Sequence, residues 1–270
     1  MAIHHGFVQK WMARQRTPPG SLEVIHDVYS PELGNRRDVY VYLPSVYLRS
    51  SAPLPVIYMH DGQNLFDPTT SFAGEWGVDD AMAHAPRKAR RAIVVGIPNM
   101  GVDRMKEYSP FLDARHGGGG GDAYVDFLVQ TLKPMIDSRY RTRPERESTG
   151  ILGSSLGGLI SLHAFFRQPS RFGFAGVMSP ALWFADGAIF PSVEHAAHVP
   201  GRLYLDVGTR EGEGTLANAR AMRDLLERKG YHAGRDLMWV EDEGGMHNEA
   251  AWGRRLRKAL PFLLDGSHAA

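Results

Sequence analysis

No cysteine occurs in the 270 residues, which removes disulfide staples, thiolate metal cages and a cysteine nucleophile together. An excess of either charge is equally lacking. Lys and Arg number 31 against 30 Asp and Glu, a formal net charge of +1, so nothing favours non-specific binding to nucleic acid. Long apolar runs are missing too: the N-terminus carries none of signal-peptide length, and no later segment could span a bilayer. The expectation is a cytoplasmic protein with no nucleic-acid or membrane partner. No repeat at solenoid periods is visible, and the low-complexity sequence is confined to the glycine run 117–121. What is present, 43% apolar, 23% charged and 10% aromatic residues, is ordinary globular composition and excludes collagen-like, coiled-coil and disordered chains.

Pro18, Pro19 and Gly20 part an N-terminal arm, residues 1–20, from one domain over 21–270. In the arm, Phe7, Val8, Trp11 and Met12 recur at helical spacing. So apolar a short helix needs a cover, and a second copy of the chain is preferred over the chain's own body.

From Arg36 onward strand and helix patterns alternate. Val39, Val41 and Leu43 alternate with tyrosines, and 55–60, 92–97, 149–153, 174–179, 202–208 and 236–240 read as further strands. Helices are expected from Asp122, as N-cap, through the apolar face ending at Ile136, and over 157–167, 215–229 and 247–264. Pro134 should kink or shorten the first of them. Such alternation implies an α/β protein, a mostly parallel sheet with helices on both faces and its chemistry just beyond the strands' carboxyl ends.

Gly153-Ser154-Ser155-Leu156-Gly157 fits G-x-S-x-G in the context that gives the pattern meaning, between an apolar strand and a helix. A serine on so sharp a turn is pushed out above the sheet. The Leu156 N–H, at a helix N-terminus, is half of an oxyanion hole. The second donor should come from the loop after the strand ending at His60, where Gly62 permits a tight turn that presents the Gln63 N–H. Of the 12 histidines, His247 is placed as the base, in Glu243-Gly244-Gly245-Met246-His247 after the last strand. The orienting acid should follow the strand 202–208; Glu211 is preferred, Asp206 second and Asp242 third. Trp76, Trp183 and Phe184 follow strands and are candidates to line a substrate pocket.

Other signals are weaker. The glycine run is not followed by the Lys-Ser/Thr of a phosphate loop and reads as a mobile loop near the active face. The clusters Arg87-Lys88-Ala89-Arg90-Arg91 and Arg254-Arg255-Leu256-Arg257-Lys258 read as solvated faces. No metal site and no cofactor is expected.

Several runs resemble the esterase D/enterochelin-esterase-like family of α/β hydrolases. They are Ser30-Pro31-Glu32-Leu33-Gly34-Asn35-Arg36-Arg37-Asp38-Val39-Tyr40-Val41-Tyr42-Leu43-Pro44, Met59-His60-Asp61-Gly62-Gln63-Asn64-Leu65-Phe66, Glu107-Tyr108-Ser109-Pro110, the serine turn, and Ser179-Pro180-Ala181-Leu182-Trp183. The resemblance implies an α/β-hydrolase fold, Ser155 as nucleophile, His247 as base, and Gln63 and Leu156 as oxyanion donors. Feruloyl esterases of the group carry their acid in Gly-Thr-x-Asp; Gly208-Thr209-Arg210-Glu211 matches with Glu for Asp. The function implied is a serine carboxylesterase acting on short acyl esters of small molecules. Acyl transfer, siderophore or feruloyl ester hydrolysis, and non-catalytic ligand binding are the alternatives.

Overall fold

Residues that alternate along a strand face opposite sides of a sheet. In the run from Val56 to His60 both sets are apolar or aromatic, so the strand can be stable only where both sides are covered. The computed structural model describes residues 20–72, 74–86, 89 and 91–265. All of the N-terminal arm except Gly20, and most of the basic cluster 87–91, lie outside the described residues.

The strands are β1 (Gly20–Ser30), β2 (Asn35–Pro44), β3 (Val56–His60), β4 (Ile93–Ile97), β5 (Leu112–Asp113), β6 (Gly117–Gly118), β7 (Thr149–Ser154), β8 (Phe174–Met178), β9 (Arg202–Gly208) and β10 (Leu237–Asp242). Eight of them build one sheet in the order β1-β2-β4-β3-β7-β8-β9-β10, while β5 and β6 form a separate hairpin. The pairs β1–β2 and β2–β4 are antiparallel, and every pairing from β4 to β10 is parallel. The expected mostly parallel sheet is present. β1, which was not expected, extends it at one edge; its apolar alternation is broken by a bulge at Asp27 (φ 58°).

Val56, Tyr58, Val95, Ile151 and Val177 point to one side, where the helix Leu156–Arg167 and the segment from Tyr124 to Ile136 cover them. Ile57, Met59, Val94, Leu152 and Met178 point to the other, under the helices Val78–His84 and Glu249–Leu263. Because the parallel strands run the same way, the residues that follow β3, β7, β8 and β9 all emerge at one edge of the sheet.

Two local expectations are corrected. Asp122 does not cap its helix: Gly120 holds the N-cap position, and the Asp122 carboxylate instead accepts from His163 Nε2 at 2.8 Å. At Pro134, expected to kink or shorten the helix, a π-helical stretch over Phe127–Leu132 interrupts the regular helix before Lys133–Arg139. That wider turn relieves the ring clash and the missing N–H that proline brings. The glycine run is also not a free loop. Gly119 and Gly121 donate to the Ser109 carbonyl, at 2.9 and 3.1 Å, and Gly120 donates to that of Lys106 at 3.0 Å. Among the described residues no helix is long and apolar enough to cross a membrane.

A Cβ added at Gly121 would lie 2.6 Å from the Pro110 backbone nitrogen. Gly121→Ala is expected to destabilise the chain by about 1–3 kcal/mol through overpacking, measured as a lower urea midpoint at constant slope. An unchanged midpoint would show that the run is not packed as described.

Candidate active site

β7 ends at Ser154, and the helix Leu156–Arg167 starts two residues later. Ser155 makes the turn at φ 57° and ψ −121°, a conformation costing about 1–3 kcal/mol for a residue with a side chain. Its backbone is held on three sides. The N–H donates to the Met178 carbonyl at 3.0 Å, and the carbonyl accepts from Leu159 at 3.0 Å and Ala181 at 2.9 Å. Leu156 opens the helix, so its N–H has no intrahelical acceptor.

The loop after β3 is braced from outside. Asp61, itself left-handed at φ 53°, precedes the single 3₁₀ turn Gly62–Asn64. Its carboxylate accepts two bonds from Arg104, Nε to Oδ1 at 2.7 Å and Nη2 to Oδ2 at 2.8 Å, and a third from Asn99 Nδ2 at 2.7 Å. Gln63 is tied by its Oε1, which accepts from the Asn99 N–H at 3.1 Å, and by its carbonyl, which accepts from Thr70 Oγ1 at 2.7 Å. A side chain at position 62 would strike the Gly96 backbone at 2.6 Å, so only glycine lets the turn lie this close to β4. Gln63 lies in the first positions of that turn, where an N–H finds no partner within the helix.

His60, just before the loop, is 1% exposed, and its Nδ1 lies 2.9 Å from the Tyr124 hydroxyl. Burial, helped by the Arg104 charge and only partly opposed by Asp61, pushes the imidazole down to about 3.

On the opposite side of Ser155, His247 Nδ1 donates to Glu211 Oε2 at 2.8 Å. The Glu211 side chain is fully buried, and its Oε1 accepts from Ser179 Oγ at 2.7 Å, Gly208 N at 2.8 Å and Arg255 Nη2 at 3.1 Å. Burial pushes the carboxyl up, but the bonds from His247, Ser179 and Gly208 and the Arg255 charge outweigh it and hold it below the ordinary glutamate value. Ser179 Oγ accepts in turn from Trp252 Nε1 at 3.0 Å, fixing the indole against the His247 ring.

The alternative acids stand elsewhere. Asp206 is fully buried, accepting from Arg255 Nη1 at 2.8 Å and from the Ser179 N–H at 3.0 Å. Burial raises its carboxyl to about 7 against the pull of Arg255. Asp242 meets Arg254 at 3.4 Å.

The expectation of a solvated face is wrong at Arg255, which is 1% exposed. Its guanidinium bridges Asp206 and Glu211 and reaches the Met246 carbonyl at 3.3 Å, next to the histidine. The signal was available: Arg255 follows Trp252 by three residues and precedes Ala259 by four, on the buried stripe of its helix.

A cavity of about 850 Å³ brings Ser155, His247, Gln63 and Trp76 together, with Phe72, Asn64, Arg104, Glu249 and Trp252 also in its wall. Trp183 and Phe184 are not among its lining residues. Phe184 is 1% exposed in the core, and Trp183, 47% exposed, stands edge-on to His116 with ring centroids 5.5 Å apart. The loop after β8 reaches Ser155 at Ala181 and then turns away, which carries both rings out of the cavity. Among the described residues no group of three or more His, Asp or Glu is arranged to hold a metal ion. Aromatic walls, a half-buried serine on a strained turn, two N–H groups (Gln63 and Leu156) with no hydrogen bond among the described residues, and a carboxylate-bound imidazole suit acyl transfer.

Residues 30–263 match the model of the Esterase family, described as "Putative esterase". The uncharacterized protein YbbA of Bacillus subtilis is 26% identical over 243 residues, covering 85% of this chain and 93% of that one. The siderophore triacetylfusarinine C esterase of Aspergillus fumigatus is 33% identical over 141 residues, 49% of this chain and 46% of that protein. Among solved structures, an IroE-like serine hydrolase from Shewanella oneidensis superposes with a TM-score of 0.71 at 20% identity, over 90% of this chain and 80% of that one. The fold is that of the α/β hydrolases.

Arg255→Met leaves two buried carboxylates without their cation and is expected to cost about 3–5 kcal/mol of unfolding free energy. Arg255→Lys should recover part of it, since one ammonium cannot serve both acids bidentately. Equal urea midpoints for all three chains would contradict the bridging role. His60 gives a pH signature. Its folded pKa lies below its unfolded value, so the unfolded chain binds the extra proton between about pH 6.5 and 3. Stability from this group is therefore full above that window and lost as pH falls through it, by at most about 1.4 kcal/mol per pH unit. His60→Gln should lose less stability than the native chain between pH 7 and 5; parallel losses would refute the buried neutral imidazole.

Proposed function

We propose a serine acyl-enzyme mechanism for this chain, which belongs to the Esterase family and is a carboxylic ester hydrolase. The observation that carries the proposal is the 2.8 Å bond from His247 Nδ1 to buried Glu211, in the wall of the cavity that Ser155 enters. With Nδ1–H committed to the carboxylate, Nε2 is the free lone pair that accepts the serine proton.

Ser155 Oγ attacks the ester carbonyl as His247 Nε2 takes its proton. The carbonyl oxygen becomes an oxyanion facing the N–H groups of Gln63 and Leu156. The imidazolium is stabilised by Glu211 and returns its proton to the departing alcohol, leaving Ser155 acylated. Water then repeats the sequence: His247 deprotonates it, the acyl–oxygen bond to Ser155 breaks, and the serine recovers its proton as the acid departs. All of these steps are acid–base and nucleophilic chemistry that the named groups can supply.

The substrates proposed are esters of short acyl groups, for which the buried rings of Trp76 and Trp252, in the same cavity wall as Ser155, offer apolar contact. The partial match to a siderophore esterase supports a larger, siderophore-type ester as a second reading.

Ser155→Ala should reduce p-nitrophenyl acetate hydrolysis by roughly 10⁶-fold and abolish labelling by a fluorophosphonate probe, with an unchanged circular dichroism spectrum. Glu211→Gln should cost less, on the order of 10²–10⁴ in kcat, because nucleophile and base remain. Turnover by Ser155→Ala at the native rate would end the proposal. Rates that climb from acetate to octanoate esters would replace the short-acyl reading with a long-chain one.

A further inference from the structure

Four titratable side chains line the cavity: Asp61, Arg104, His247 and Glu249. Three have evident employment. Asp61 and Arg104 neutralise each other through two bonds of 2.7 and 2.8 Å, and His247 is bound to Glu211 at 2.8 Å. Glu249 has none. It is 8% exposed, its hydrogen bond from Asn64 Nδ2 is 3.4 Å long, and among the described residues no cation stands within ion-pair distance of it. A nearly buried carboxylate with one long hydrogen bond and no ion pair is costly to keep. Its place in the first turn of the helix Glu249–Leu263 offsets part of that through the helix dipole. The dipole does not explain why the carboxylate faces a cavity.

The surroundings are suited to a positive charge. Trp76 and Trp252, 5% and 6% exposed, lie in the same wall with ring centroids 5.7 Å apart and planes tilted by 39°. Trp252 cannot swing away, because its Nε1 donates to Ser179 Oγ at 3.0 Å. Aromatic faces attract organic cations, and a carboxylate beside them adds direct charge complementarity. We propose that Glu249, with Trp76 and Trp252, forms a subsite for an organic ammonium group, so that the preferred esters are those carrying a positively charged amine or quaternary nitrogen. As a statement about substrates it rests on the esterase reading of Ser155; as a statement about binding it does not.

The test compares choline with 3,3-dimethylbutan-1-ol, its uncharged carbon isostere, by titration calorimetry on the full chain. The hydrolytic counterpart compares acetylcholine with 3,3-dimethylbutyl acetate. The native chain should favour the charged member of each pair by about tenfold. Glu249→Gln, which keeps an acceptor for Asn64, should bring both ratios close to one. A merely structural glutamate would weaken both members together and leave the ratios unchanged. Equal affinities in the native chain, or a preference that survives Glu249→Gln, would overturn the subsite even if Ser155 hydrolyses p-nitrophenyl acetate. Preferential choline binding with no ester hydrolysis would keep the subsite and reject the esterase reading.

Discussion

One guanidinium holds the acid–base side of the cavity in place. Arg255, fully buried, bridges Asp206 at the end of β9 and Glu211 in the loop beyond it, and touches the carbonyl just before His247. Glu211 can be sequestered from water yet remain a carboxylate because Arg255, Ser179 and Gly208 occupy the oxygen that His247 does not use. Burial drives Asp206 up to about 7 against the pull of the same cation, while Glu211 is held below its ordinary value. Two neighbouring carboxylates around one arginine thus shift in opposite directions, and the one held low faces the imidazole.

The other side of Ser155 is built on the same principle with different parts. Arg104 and Asp61 form a two-bond pair around the turn that carries Gln63, with Asn99 tying the carboxylate to the Gln63 side chain. Loops at the end of a parallel sheet have few ladder hydrogen bonds to fix them, so long cationic side chains supply the missing constraints. Both braces leave the groups that face the cavity unengaged. Among the described residues no hydrogen bond engages the N–H groups of Gln63 and Leu156 or the Nε2 of His247, while the braces around them bond to one another.

The parallel sheet was legible in sequence because its central strands are short apolar runs flanked by turn residues and spaced by helical patterns. The serine turn was legible because its chemistry is local: glycines, a strand before and a helix after. His247 and Glu211 could be placed near it only through topology, and their contact is a relation between two loops that no single segment encodes. β1 was missed because its outer face is exposed and its alternation breaks at Asp27. Arg255 was hidden by its company. Four basic residues in five read as a solvated face, although only the helical register with Trp252 and Ala259 decides which one turns inward. Trp183 and Phe184 failed as pocket residues for the opposite reason: following a strand places the backbone near the site but says nothing about which way the chain turns next.

Net charge was the least informative quantity of all. A balance of +1 over the whole chain suggests indifference to charged ligands, but a ligand in the cavity meets only the groups that line it. There the Asp61–Arg104 pair cancels, and Glu249 remains. Behind the wall, Glu211 and Asp206 share a single arginine, so the nearby field is also weighted towards the negative. That weighting has a consequence for chemistry as well as for binding. In the proposed mechanism acyl transfer passes through an imidazolium, and Glu211, bound to His247 at 2.8 Å, is the group that would stabilise it. The same negative charge would oppose the oxyanion of that mechanism. Only oriented donors at short range can overcome such opposition, and the proposed mechanism would therefore need the Gln63 turn to be held as firmly as the bonds from Arg104 and Asn99 hold it.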